Sequence, residues 1–298
     1  MGRSDRDRSF DEHHEPLLRP LSAGPHNQEH PPSPGRTGEG GDAFLGSHSR
    51  KEPRQPDLVH RARMDQTEVN TLADIGTFRA VRLADLARYQ FGGDTDEALL
   101  TVNRLVRQGL AEYRTTSPDS TTYVTLTILG RSSIQQLRSR TAPHQEFYSG
   151  LVKPREARHD AALYRLYQHE ASHITARNAR ITRVVLDFEL KRSINRRLSK
   201  IGRLTQSQQQ KHKQEIAQEH GLKVVNGKIP IPDLRLEYEG PNHEQAKVDL
   251  ELVTGHYHRG NLATKAKAGF AMYALSEDAA RLRPAMDDPE IMQDILSL

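Results

Sequence analysis

Residues 94–130 read DTDEALLTVNRLVRQGLAEYRTTSPDSTTYVTLTILG. Asp94 with Glu97 three positions later is an aspartate version of the capping box. It opens a helix that carries Ala98, Val102, Leu105 and Val106 on one face and stops at Gly109. Two strand-like runs follow, Leu110–Thr115 and Thr122–Leu126, separated by Ser117-Pro118-Asp119-Ser120, which is a hairpin signal. Thr127 and Gly130 lead into another helix that turns Ile134 and Leu137 inward. Upstream, Gly92-Gly93 turns the chain after a short helix, Leu83–Tyr89, with Leu83, Leu86 and Ala87 inward. Before it, a period of 3.6 through Val69, Leu72, Ala73 and Ile75 predicts a helix from near Asp65 to near Gly76. Three helices, a β-hairpin and a further helix predict a winged helix-turn-helix over residues 65–141.

On either side of this module the composition changes. Residues 1–64 mix Pro, Gly, His, Ser and both charges without a sustained apolar period, as in Pro31-Pro32-Ser33-Pro34-Gly35. Such a segment buries too little apolar surface to offset an ordering cost of about 1–2 kcal/mol per residue, and it reads as a disordered tail. Residues 142–155 read as a linker. Beyond them a helix is predicted from Glu156 to Arg177, a β-rich run from Ile181 to Phe188, and a basic helical region from Leu190 to His220. Leu222–Val225 and Ile229–Tyr238 flank an Asn226-Gly227 turn and read as a second hairpin. Val248–Val253 reads as a strand, Asn261–Ala274 as a helix, and the tail from Glu277 to Leu298 as helix. The fold class expected is α+β, with a small α/β layer over residues 156–298.

The whole-chain numbers narrow the function classes. A chain of 298 residues accommodates one large or two modest domains. Hydrophobic residues make up only 35%, which supports leaving part of the chain unfolded. With no cysteine there is no disulfide framework, thiol nucleophile, thiolate zinc site or iron–sulfur cluster, as expected of a cytoplasmic protein. No apolar run approaches a membrane span or the core of a signal peptide, so no membrane partner is expected. The net charge of +4, from 43 basic and 39 acidic residues, permits a polyanionic partner, and the distribution of charge must decide.

Two basic faces are candidates for DNA. On the third helix, Asn103, Arg104 and Arg107 make up a DNA-facing side on which Asn103 and Arg107 are placed to read base edges, although Asp96 and Leu100 share that side and dimerisation or partner docking is the alternative. Farther on, Leu190, Ile194, Leu198 and Ile201 follow one helical face, while Arg192, Arg196, Lys200 and Arg203 follow the opposite one. That stripe would neutralise phosphates without reading sequence; a solvated charged face is the bland alternative.

A third constellation is acidic. On a strand Asp249 and Glu251 point to one side. With Asp233 arriving from a neighbouring strand, the three carboxylates Asp233, Asp249 and Glu251 would hold Mg²⁺ and activate water against a phosphodiester. A lysine normally completes such a site, but Val253 stands at its expected place, and Lys265 on the following helix is the substitute. The expected catalytic set is therefore Asp233, Glu251 and Lys265, the alternative being surface acids on a half-buried strand. His159-Asp160 and the pair Asp187 and Glu189 are outer candidates.

These residues resemble the replication-relaxation family of plasmids and integrative elements. The resemblance runs from Gln66 to Ala274 through Asp85-Leu86, Gly109-Leu110, Leu126-Thr127 with Gly130, His159-Asp160, Pro232-Asp233, and Glu251 ahead of Lys265 and Tyr273. It implies a winged helix joined to a domain related to the PD-(D/E)xK (restriction-endonuclease-like) nucleases. It further implies a DNA-binding protein of a mobile element, acting in replication initiation, relaxation or transfer, with a relaxase or replication protein as partner. A Mg²⁺-dependent endonuclease and a winged-helix transcriptional regulator are the alternatives. The chain departs from the pattern at Val253 and in its helical tail.

Overall fold

Side-chain caps decide where the first helices begin. The Asp65 carboxylate accepts the Glu68 amide, and Glu68 reaches back to the Asp65 amide, a closed capping box ahead of α1 (Gln66–Phe78). After α2 (Leu83–Gln90), Gly92 and Gly93 take positive φ and turn the chain, and Asp94 accepts the Glu97 amide at 2.9 Å to open α3 (Thr95–Arg107). The strands β1 (Ala111–Thr116) and β2 (Thr121–Leu126) pair antiparallel, Ala111 against Leu126. Thr127 then caps α4 (Ile128–Arg138) and also donates its hydroxyl to the Gly109 carbonyl at 2.6 Å, tying the end of α3 to the start of α4. The computed structural model describes residues 64–117, 120–151, 153–202, 204–255, 257, 259–276, 278 and 295–297. All of the expected tail over 1–64 except Met64, and the turn residues Pro118 and Asp119, lie outside them.

The second half builds one sheet with helices on both faces. Its elements are α5 (Ala157–Ala176), β3 (Arg180–Leu186), α6 (Asp187–Leu198), α7 (Gln206–Glu219), β4 (Leu234–Glu239), β5 (Gln245–Val253), α8 (Arg259–Ala268), β6 (Ala271–Ala274) and β7 (Ile295–Ser297). The strand order is β3-β4-β5-β6-β7; the first two pairings are antiparallel and the last two parallel. Leu163 and Leu166 of α5 share a core with Leu234, Leu236, Leu250 and Leu252, and that core continues into Leu72, Ile75, Leu105 and Ile134 of the first half. On the opposite face Val185 packs with Leu190 and Ile194 of α6 and Ile216 of α7. Among the described residues the fold is thus mixed α+β, with eight α-helices and two small sheets, and no helix is long and apolar enough to cross a membrane.

Four expectations need correction. The stretch read as a linker is packed: Phe147 is buried, Tyr148 donates its amide to the Gly76 carbonyl, and the Gln145 side chain bonds both the N–H and C=O of Val184. Gln145 therefore acts as a strand neighbour along the free edge of β3. The second hairpin reduces to one bridge, Val225 to Lys228 around the Asn226-Gly227 turn, because Pro230 and Pro232 lack the N–H groups a ladder needs, and β4 starts only at Leu234. The helix expected to reach Ala274 ends at Ala268: Gly269 takes φ +88, and Ala271–Ala274 returns as a strand parallel to β5. In the tail read as helix, Ile295–Ser297 is a strand beside β6; of its other residues only Asp278 is described.

Candidate active site

Three strand ends meet at one edge of the larger sheet: the end of β3, the start of β4 and the far half of β5. The β4–β5 ladder closes at Leu234 and Leu250, leaving Asp233 one residue beyond it and opposite Glu251. There the two acids replace the ladder with side-chain bonds. The Asp233 amide donates to Glu251 Oε2 at 3.3 Å, and the Leu252 amide donates to Asp233 Oδ2 at 3.0 Å. From α8, Lys265 Nζ lies 2.6 Å from Glu251 Oε1 and donates to the Ile231 carbonyl at 2.8 Å. The Tyr257 hydroxyl donates to the same Glu251 oxygen at 2.6 Å. From the first turn of α5, His159 Nε2 stands 3.5 Å from Asp233 Oδ2. Asp187, first residue of α6, donates its amide to the Asp233 carbonyl at 3.1 Å and pairs its carboxylate with Lys191.

Burial and charge set the protonation of this group. Burial opposes the charge on Asp233, but the hydrogen bond and charge of His159, the Leu252 amide and Lys265 outweigh it, and the carboxyl sits below its usual range. Glu251, fully enclosed, moves the other way: burial and then the Asp233 charge raise it, against Lys265 and Tyr257. Burial also disfavours the His159 cation, yet Asp233 overrides it and raises the imidazole. The Tyr257 phenol is pushed up by burial and by the same two carboxylates, so it stays a donor. Next to His159, Asp160 is raised to about 6 by burial, with Arg79 opposing at 3.6 Å.

The structure brings Asp233, Glu251 and Lys265 together and separates Asp249 from them. Asp249 is held bidentate by Arg235, at 2.6 and 2.9 Å, and that guanidinium also donates to the His220 carbonyl. It completes an ion pair inside the sheet and is not part of the carboxylate cluster. Val253 is buried among Leu262, Met272 and Ala274, where an ammonium would lose its water; the charge comes from Lys265 instead. Glu189 is turned to Arg183 and Tyr148, away from the site. Tyr257 and Lys191 were not anticipated. Lys191 was legible as the i+4 partner of Asp187, whereas Tyr257 sits in a loop without periodicity.

The expected DNA-binding residues fare unevenly. Arg104 is engaged by Glu68 at 3.0 Å and by Asp65 at 3.7 Å, which pins α3 to the start of α1. Asn103 accepts from the Tyr113 hydroxyl, and Arg107 is exposed with one weak bond to the Asn103 carbonyl. On α6 Leu190 and Ile194 are buried and Arg196 is exposed, as the amphipathic pattern requires, but Arg192 is paired with Glu146, and the helix ends at Leu198, so exposed Lys200 lies in the turn beyond it. Arg203 lies outside the described residues.

A separate motif, His169-Glu170-Ala171-Ser172-His173 on α5, has the spacing of a helical zinc site. Its rings lie 4.5 Å apart, but Glu170 is buried and accepts from the Tyr273 hydroxyl at 2.7 Å. Among the described residues no group of three or more His, Asp or Glu is arranged to hold a metal. No protein-family model matches this chain, and no curated protein matches it.

Proposed function

We propose that this chain is a DNA-handling protein whose second half carries a phosphodiester-cleaving site. The observation that carries the reading is the meeting of Asp233, Glu251 and Lys265 at the end of the β4–β5 ladder. Supporting it is the run from α5 to β6, in which β3, β4 and β5 pair antiparallel, with α6 and α7 inserted after β3, and α8 then leads to the parallel strand β6, a layout in keeping with a restriction-endonuclease-like layer. The helix, helix, helix, hairpin, helix order of the first half supports a winged helix, with Arg107 free to approach DNA. Exposed Arg196 and Lys200 extend the positive surface. The replication-relaxation proteins that the sequence resembles make plasmid or mobile-element DNA the natural substrate.

Asp233 and Glu251 fit a hard divalent cation: two carboxylates share one corner, and the charge of one raises the other. They would hold Mg²⁺, completed by water and substrate phosphate oxygens, and the bound ion would supply Lewis acidity and an activated water. The chain's own residues do the rest. Lys265 presents an ammonium where charge develops on the phosphoryl oxygens. His159 holds the Asp233 carboxylate from the α5 side, and Tyr257 orients Glu251. The test is supercoiled DNA incubated with Mg²⁺ or EDTA. The expected result is metal-dependent nicking, lost in Asp233→Asn, Glu251→Gln and Lys265→Met proteins that unfold at the wild-type temperature. Nicking that persists in Asp233→Asn, or wild-type protein that binds DNA and never cleaves it, overturns the reading.

A further inference from the structure

The start and end of α2 face Arg165, His169 and the residues that follow β6 across a cavity of about 400 Å³. Arg82, Arg88 and Arg165 line it together with Tyr89, His169 and Leu275. Among the described residues the carboxylate set against these cations is Asp85, and its contact with Arg165 Nε is long, at 4.0 Å. Among the described residues, buried nitrogens of two of the guanidiniums, Nε of Arg82 and Nε and Nη2 of Arg165, have no hydrogen-bond acceptor, and Asp85 Oδ2 has no donor. A guanidinium stays protonated at any physiological pH, so these donors cannot be silenced by losing a proton. Buried donors without acceptors are costly, and among the described residues three cations against one carboxylate leave a surplus of two positive charges around the cavity.

The missing acceptor has a definable chemistry. Forked guanidinium donors match the oxygens of a phosphoryl group, and a surplus of two charges matches the dianion of a phosphomonoester rather than the single charge of a backbone phosphodiester. The volume exceeds that of a bare phosphate and lies within the range of small-ligand sites. Tyr89, over whose ring Arg88 lies at 5.1 Å, and Leu275 give the remaining wall an aromatic and apolar character suited to a flat ring. We propose that this cavity binds a phosphomonoester of nucleotide size, with Arg82, Arg88 and Arg165 holding the phosphate and Tyr89 bordering the base. Two sources present that chemistry, a free mononucleotide and the 5′-phosphorylated end of a DNA strand. The site is separate from the Asp233 corner and does not depend on cleavage there.

The test is titration calorimetry of the full chain with deoxyadenosine 5′-monophosphate, deoxyadenosine and inorganic phosphate. It is paired with fluorescence anisotropy on a short single strand bearing either a 5′-phosphate or a 5′-hydroxyl. The expected result is binding of the monophosphate at least tenfold tighter than that of the nucleoside, with inorganic phosphate competing. Arg88→Gln, at an exposed rim position, should weaken it about tenfold without changing the unfolding midpoint, and Arg165→Gln should weaken it further. Preference for the 5′-phosphorylated strand assigns the site to DNA ends; monophosphate binding without that preference assigns it to free nucleotide. Nucleoside and nucleotide binding equally, no binding of any phosphomonoester, or an Arg88→Gln protein indistinguishable from wild type overturns the proposal. Because cleavage at Asp233 is not the readout, this result and that of the nicking assay fail separately.

Discussion

Asp74 of α1 lies beneath Tyr164 of α5, whose hydroxyl donates to Asp74 Oδ2 at 2.8 Å. Burial pushes this carboxyl from 3.8 up to about 6, against the Tyr164 hydrogen bond and the charge of Arg138. An acid raised in the folded state holds its proton over a pH range in which the unfolded chain has already released it. Folding stability from this group is therefore full below about pH 4 and is lost as the pH rises through about 6. At 1.36 kcal/mol per pH unit the displacement corresponds to about 3 kcal/mol. Asp74→Asn removes the titration while its carbonyl still accepts from Tyr164. Urea unfolding of both proteins between pH 4 and 7.5 isolates the effect, because groups common to the two cancel in the difference. The variant should gain about 2.4 kcal/mol relative to wild type across this interval, about 2 kcal/mol of it between pH 4 and 6. A uniform cost of the amide would offset the difference curve without changing its slope. A difference constant to within about 0.5 kcal/mol would refute the account of Asp74 as a carboxylate held against its preference.

Asp249→Ala strips a buried guanidinium of its bidentate partner and should cost about 3–5 kcal/mol in urea unfolding, whereas Asp249→Ala combined with Arg235→Met should recover much of that loss. A single-variant cost below about 1 kcal/mol would mean that Asp249 is free to serve elsewhere. Gly130→Ala would raise stability by up to about 1 kcal/mol at an unconstrained helical position. Here the added Cβ would stand 1.9 Å from the Leu110 carbonyl oxygen, so a loss of about 1–3 kcal/mol is expected in urea unfolding, and a gain would show that the contact between Leu110 and α4 gives way.

The first half was legible because its signals are local. Asp94 and Thr127 cap their helices through amides three positions on, and the paired glycines turn the chain by their own positive φ, as their spacing requires. The second half was harder because its signals are long-range. The run Phe270–Ala274 is apolar throughout, which periodicity cannot distinguish from a helix, and only pairing with β5 settles it as strand. Gly269 carried the correct information, since a glycine followed by an apolar run is a stop signal, but the 3.6 pattern through Leu262 and Ala266 overrode it. The stretch 142–155 has the composition of a linker, and nothing in it announces that Gln145 will bond Val184, thirty-nine positions away. Likewise Arg104 looked available because its partners, Asp65 and Glu68, belong to another helix.

The candidate site depends on register more than on any motif. Leu234 faces Leu250, so one further step of the antiparallel ladder sets Asp233 against Glu251. Because side chains alternate along a strand, Glu251 shares a face with Asp249 and Val253, while Leu250 and Leu252 enter the core under α5. A slip by one residue would send both leucines out and bury Glu251 without Lys265 or Tyr257. The leucines on β4 and β5 therefore fix the acids' position indirectly, and the Arg235–Asp249 pair, directly across the same ladder, locks it from the other face. Strengthening that lock carries a consequence for the lysine as well. With the register fixed, position 253 is enclosed by Leu262 and Met272 and cannot host a charge, so the ammonium must approach from outside the sheet. The helix of the β5–α8–β6 crossover passes over this edge, and Lys265 on it reaches both Glu251 and the Ile231 carbonyl.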